Sequence, residues 1–284
     1  MPDNPQAAPP LEFALPAHAV LAIAGRDAAG FAQAQFMNDV AALGDGQWQW
    51  NGWLNAKGRV LALFALLRLD ADTFWLLLPD ADAAALALQL QRYVFRSKLI
   101  LQARTDLHVG GTFDAPATAA GNRFGREGDT IELDMGGEGG PRTLRIASSP
   151  AAADADALQR WSAADLTHGL PRLPAAQVEQ WTPQQLSLER LQAFSVKKGC
   201  YPGQEIVART HFLGQVKRGI ALFDADGPLE AGAEVRDGDR AVGTLACVAG
   251  VRALAVLPLG TPVDGLVAGG FALTAQPLLG GLQR

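Results

Sequence analysis

The sequence predicts an α+β fold made of a small α/β domain and a C-terminal β barrel, and three observations predict it. Between residues 45 and 110, apolar runs broken by acidic turns are followed by a helical face and then by further strands. From 110 to 140 the chain is glycine-rich and holds at most short strands. After His211 it changes to short alternating runs divided by glycine and Asp-Gly turns, the pattern of a small barrel or sandwich. With 284 residues and 49% hydrophobic content the chain can bury a sizeable core, and it divides more naturally into two or three domains than into one.

Residues 1–10, rich in Pro, Ala and Asn, read as a loose tail. Ala19 to Ala24 reads as a strand, and Asp27 is placed to cap a helix with Phe31, Ala34 and Met37 on one face, so that Asn38 and Asp39 fall at its end. Trp48, Trp50 and Trp53 alternate in part with polar residues before a turn at Asn55-Ala56-Lys57-Gly58. Val60 to Leu69 and Thr73 to Leu78, separated by Asp70-Ala71-Asp72, make a hairpin. Ala83 to Phe95 places Leu86, Leu90, Tyr93 and Val94 on one helical face, with Arg92, Arg96 and Lys98 where cations favour a helix C-terminus. Strands are expected at Leu99 to Ala103, near Leu107, at Thr130 to Leu133 and at Thr143 to Ala147, and a helix at Ala151 to Trp161. Pro171, Pro174 and Pro183 mark an irregular stretch before Leu186 to Phe194. The barrel strands are expected at Gln215 to Phe223, Glu234 to Arg236, Gly243 to Val248 and Val251 to Val256.

The formal charge of -5 gives no general attraction for nucleic acid, so an RNA contact needs a local basic patch. Two cysteines, Cys200 and Cys247, are too few for a disulfide scaffold, and the four histidines have no metal-ligand spacing, so no metal site is expected. No basic stretch precedes an N-terminal apolar run, and Val60 to Leu78 is interrupted by Arg68, Asp70 and Asp72. Neither a signal peptide nor a membrane span is expected, and a reducing cytoplasm is the expected compartment.

The segment Lys197-Lys198-Gly199-Cys200-Tyr201-Pro202-Gly203-Gln204-Glu205 gathers charge, a thiol and an aromatic where no apolar repeat accounts for them. Two preceding lysines favour a Cys200 thiolate, Lys198 acting as its activator, and Gly203 lets Gln204 and Glu205 face one cleft. The alternative is a tight turn with a buried cysteine and a solvated lysine pair. Cys247, in the apolar run Leu245 to Val248, reads as a buried strand residue. Trp161 and Trp181 read as core, and Tyr201 as the aromatic set to stack on a heterocycle.

The same segment, continued by Arg209 and by Gly214, Lys217 and Arg218, resembles the signature of the YgfZ family of folate-binding proteins, relatives of the glycine-cleavage aminomethyltransferase. The resemblance extends to Ile23 to Ala28 with Asn38-Asp39, to Leu54 to Arg59, and to Arg92 to Lys98. It departs at Leu166 to Pro171, where Asp165 and Thr167 stand in place of the arginine and acid of the family pattern, which speaks against glycine-cleavage chemistry.

The resemblance implies an aminomethyltransferase-like fold of three domains. These are a discontinuous folate-binding domain over 10–44 and 111–210, a ferredoxin-like α/β domain over 45–110, and a β barrel over 211–284. It implies tetrahydrofolate or a related reduced folate as cofactor, with Asn38, Asp39, Asn55, Lys57, Arg92, Arg96, Tyr201, Gln204 and Glu205 as binding residues. The arginines suit the folate's glutamate tail. The function implied is support of the assembly, maintenance or repair of iron-sulfur enzymes, including tRNA-modifying ones, by a monomer whose partners are those enzymes or their assembly machinery, with tRNA itself as a further contact. A folate-dependent aminomethyltransferase and a non-enzymatic docking protein are the competing readings.

Overall fold

The computed structural model describes residues 11–214 and 216–284. The tail at 1–10 and Gln215, which opens an expected strand, lie outside the described residues. In chain order the elements are β1 (Phe13–Ala14), β2 (Ala19–Ala24), α1 (Ala28–Gln35), β3 (Gln47–Leu54), β4 (Val60–Arg68), β5 (Thr73–Leu78), α2 (Ala83–Gln91), β6 (Ile100–Ala103) and β7 (His108–Thr112). There follow β8 (Gly125–Glu127), β9 (Thr130–Asp134), β10 (Thr143–Ala147), α3 (Ala155–Thr167) and α4 (Gln204–Phe212). The last six strands are β11 (Arg218–Ala225), β12 (Glu234–Asp237), β13 (Arg240–Ala249), β14 (Arg252–Pro258), β15 (Leu266–Ala268) and β16 (Phe271–Gln276).

These strands form two antiparallel sheets and a barrel. One sheet has the order β1-β7-β10-β9-β8, the other β3-β4-β5-β2-β6, and the barrel closes as β11-β14-β13-β12-β15-β16. The mixed architecture and the C-terminal barrel are those the sequence predicts. The expected boundary at residue 44, however, runs through a sheet. β2 pairs with β5 and β6 inside the second sheet, while β7 leaves that sheet to pair with β1 and β10 in the first. Apolar alternation marks a strand but does not say which edge it joins.

The second sheet is buried on both faces, which is why β4 and β5 read as near-continuous apolar runs. Trp48, Trp50, Leu63, Ala65, Leu67, Trp75 and Leu77 point toward the first sheet, where Val109, Leu133, Leu144 and Ile146 meet them. Trp53, Phe64, Leu66, Phe74 and Leu76 point the other way, into Phe31, Phe36, Leu86 and Leu90 on and beside α1 and α2. The period of two along the strands, shifted once by a bulge near the start of β4, thus separates two cores. α3 packs between β1 and the barrel strands β13 and β14.

Three local expectations change. Asp27 makes no side-chain cap to α1; its Oδ2 accepts instead from the Lys98 N–H at 2.6 Å. α1 ends at Gln35, leaving Met37 in a bend beyond the helix, where its N–H donates to Gly52 O. α2 stops at Gln91, before Phe95, which adopts a positive φ of 43°.

A chain of charges runs through the interior. Arg142, just before β10, meets Asp165 of α3 at 2.7 Å, with side chains 3% and 1% exposed, and its guanidinium lies over the Trp161 ring. Asp165 also meets Arg172 at 3.2 Å, and Arg172 meets Asp80, just after β5, at 2.8 Å. Removing one partner of such a pair leaves a buried charge uncompensated, so Asp165→Ala is expected to cost about 3–5 kcal/mol. The urea midpoint reads this loss, and Arg142→Met combined with Asp165→Ala is expected to restore part of it.

Candidate functional site

The loop from Ser195 to Gly203 is fastened from both sides of its exposed tip. Lys198, 6% exposed, sends its ammonium away from Cys200 and into the end of α1. There Nζ donates to the carbonyls of Gln33 and Phe36, each at 2.5 Å, and of Asn38 at 3.0 Å. An ammonium has three protons, and all three are taken. The Gln33 carbonyl is in the last turn of α1, and those of Phe36 and Asn38 follow the helix end, so the cation completes the C-terminus of the helix. Burial pulls the Lys198 pKa down to about 8, with the Asp39 carboxylate pulling it up.

Tyr201 anchors the other side. Its ring is buried, its hydroxyl donates to Ser195 O at 3.2 Å, and the Lys198 ammonium sits 5.0 Å from the ring centre. Burial pushes the phenol up to about 12. Gln204 Nε2 closes the loop on itself by donating to Lys198 O at 3.0 Å. Lys197, Gly199 and Cys200 remain exposed between these anchors. The expected activation of Cys200 by Lys198 is therefore corrected, because a fully engaged cation leaves the thiol no proton to share. Tyr201 is corrected likewise: it is a core aromatic and offers no face to a heterocycle.

Two glycines join this loop to the turn at residues 55–58. Gly203 has φ of 76°, and a Cβ there would meet Asn55 O at 2.6 Å and Gly58 Cα at 2.7 Å. Gly58 has φ of 69°, and a Cβ there would meet Ile206 Cβ at 2.9 Å. Left-handed backbone and contact without side chains both require glycine at these two positions. Gly203 caps α4, a helix that the Pro202-Gly203 turn signal concealed in the sequence.

The remaining predicted binding residues are mostly committed to the fold. The carboxamide of Asn38, 9% exposed, donates to Trp50 O at 2.9 Å and Gln192 O at 2.7 Å and accepts from Asp39 N–H, which exhausts its donors. Asn55 Oδ1 accepts from the N–H groups of Lys57 and Arg59 and so shapes its own turn. Asp39 Oδ1 accepts from Gln33 and Ala41, and Glu205 pairs with Arg209 at 2.8 Å on the surface of α4. Lys57, Arg92 and Arg96 are partly or fully exposed at their surfaces, with Arg96 over the Phe95 ring. Among the described residues, the carboxamide of Asn38 and the ring of Tyr201, both expected at a heterocycle, are engaged by the protein's own groups.

Asp165 and Thr167, where the sequence departs from the family pattern, also have internal partners. Asp165 lies in the buried charge chain, and Thr167 Oγ1 donates to Ala163 O and accepts from Arg252. Sequence reasoning missed Ser195, whose Oγ accepts from the N–H groups of Lys197 and Lys198, and Gln192, whose positive φ of 54° brings its carbonyl to Asn38.

Two outcomes are expected. Lys198→Met leaves three carbonyls unsatisfied and costs about 3 kcal/mol in denaturant unfolding, while Cys200 keeps a labelling rate close to that of the parent protein. Cys247 is fully buried in β13, and burial pushes its thiol from an ordinary 9.0 up to about 12. Native protein is therefore expected to label one thiol and unfolded protein two. Between about pH 9 and 12 the unfolded chain releases a Cys247 proton that the folded chain keeps, so stability falls as pH rises through that window. Cys247→Ala should flatten this fall in melting temperature.

No protein-family model matches the chain. It is 28% identical over 221 residues to an uncharacterized protein of Haemophilus influenzae, covering 77% of this chain and 75% of that one. It is 28% identical over 219 residues to the tRNA-modifying protein YgfZ of Aliivibrio fischeri, covering 72% and 68%. Its identity to the protein of the same name from Klebsiella pneumoniae is 29% over 222 residues, covering 71% and 68%. Among solved structures, glycine cleavage system aminomethyltransferase T from Bartonella henselae matches with a TM-score of 0.71 over 96% of this chain and 86% of that chain, at 17% identity. The chain therefore has the aminomethyltransferase-like fold and a distant relationship to proteins named YgfZ.

Proposed function

We propose that this protein is a reduced-folate-binding accessory factor for iron-sulfur enzymes, including those that modify tRNA, and that Cys200 is the group it presents to them. The observation that carries the reading is the construction of the loop: two buried anchors, Lys198 and Tyr201, hold an exposed thiol between them. A cysteine kept only for packing is found inside, as Cys247 is. A thiol on a pinned loop loses little conformational freedom on meeting a partner. The names of the two YgfZ relatives support the connection with tRNA modification, and the fold shared with an aminomethyltransferase supports folate as ligand.

A reduced folate would supply a one-carbon unit. Lys57, Arg92 and Arg96 would hold the carboxylates of its glutamate tail. The aminomethyltransferase reading draws on the fold alone, and no methylene-tetrahydrofolate is expected from an aminomethylated carrier protein above the rate without enzyme.

Calorimetric titration with tetrahydrofolate should give a saturable heat that weakens with salt, and Arg92→Ala with Arg96→Ala should weaken it about tenfold or more. Absence of saturable heat with any reduced folate overturns the folate assignment. Cys200→Ser should keep the melting temperature and the folate affinity, yet abolish recovery of an iron-sulfur tRNA-modifying enzyme in a deletion strain. Full recovery with Cys200→Ser overturns the role of the thiol.

A further inference from the structure

At the opposite end of α4 from Cys200 lies an open cleft of about 300 Å³ whose charged lining consists of Arg59, Lys217 and Arg218. None of its lining residues is acidic. Arg59 is held in place through one Nη, which donates to Gln180 O at 2.6 Å and Gln185 Oε1 at 3.0 Å, while its Nε and second Nη make no hydrogen bond among the described residues. Lys217 and Arg218 are exposed and have no carboxylate partner among the described residues. In a chain with a net charge of -5, three cations converging without a counter-charge form a local exception.

Two further groups narrow the ligand. Gln184 lines the cleft, is 3% exposed, and donates from Nε2 to Val207 O at 2.8 Å, yet its Oε1 accepts from nothing among the described residues. A buried acceptor without a donor is costly, so a ligand that brings an N–H or O–H is favoured there. Thr210, also in the lining, donates its hydroxyl proton to Ile206 O and keeps an acceptor lone pair for the same ligand. A cationic groove that tracks a phosphate backbone, with acceptors beside it for ribose hydroxyls and base amino groups, is an arrangement that holds single strands.

We infer that this cleft binds single-stranded RNA. Successive backbone phosphates meet Arg59, Lys217 and Arg218, and a ribose hydroxyl or base amino group between them donates to Gln184 Oε1. Thr210 is six residues from Gln204, about 9 Å along the α4 axis, so RNA held here lies along the same helix as the thiol loop. The inference deepens the accessory-factor reading and rests on its connection to tRNA.

The test is fluorescence anisotropy of the full-length protein with a labelled single-stranded RNA of about 12 nucleotides, a length spanning one such groove. Inorganic phosphate, a mononucleotide and polyglutamate serve as competitors. With about three phosphates neutralised on a single strand, affinity should fall roughly 20-fold from about 50 to 200 mM salt. Lys217→Ala with Arg218→Ala should flatten that salt dependence and weaken binding about tenfold or more. Both side chains are exposed, so the double variant should keep the parent melting temperature, and Lys217→Gln alone serves if it melts early.

No RNA binding, or binding unchanged in these variants, overturns the inference. Displacement by the mononucleotide or phosphate at the same concentration as by RNA overturns it in favour of a small-phosphate site. Displacement by polyglutamate with equal strength overturns it in favour of an acidic peptide. The two readings fail separately: Cys200→Ser should still bind RNA, so loss of enzyme recovery without RNA binding sinks only this inference, and RNA binding with full recovery sinks only the role of the thiol.

Discussion

The Lys198 ammonium, inserted among the carbonyls of Gln33, Phe36 and Asn38, is the interaction on which the arrangement of the site depends. It joins the end of α1 to a loop some 160 residues later, and no neutral side chain could donate to three carbonyls at once. With that joint made, Ser195 N–H reaches Met37 O, Met37 N–H reaches Gly52 O, and Asn38 bridges Trp50 and Gln192. The free edge of β3 is thereby covered by backbone that belongs to no regular strand. Burial disfavours the cation, while the three carbonyls and the α1 C-terminus favour it, so the site balances desolvation against donor count.

Much of the fold was legible because burial is one-sided or two-sided in simple periods. The β4 and β5 hairpin, β10 and the barrel strands β12 to β14 fall close to their apolar runs, since each such run must find a core. What was not legible is partnership. β2 alternates in the same way whether it joins one sheet or the other, and α4 hides behind a Pro-Gly pair that reads as a turn. A lysine two residues before a cysteine looks like a thiol activator in one dimension, and only the third shows its ammonium turned toward α1. Asn38 and Tyr201 illustrate the same limit: a carboxamide and an aromatic have the chemistry of a ligand site and equally that of a structural joint, and their neighbours decide.

Both proposed sites lie along one short helix. At the N-terminal end of α4 an exposed thiol is held by buried neighbours, and at the C-terminal end cations gather around a cleft. The turn at residues 55–59 touches both ends, through Gly58 on Gly203 and Ile206 and through Arg59 at the cleft. The fold is shared with an aminomethyltransferase, and the groups of both proposed sites lie at the surface of this chain.

The chain of Arg142, Asp165, Arg172 and Asp80 has a consequence for how such a protein can be taken apart. Its members come from the first sheet, from α3 and the segment after it, and from the end of the second sheet's hairpin. A recombinant chimera joined at residue 110 would combine Asp80 from one parent with the three other charges from another. Any mismatch in their spacing would strand an ion in the interior. The architecture is therefore modular in outline but inherited as a unit, and exchange of the small domain between distant relatives would have to carry the charge register with it.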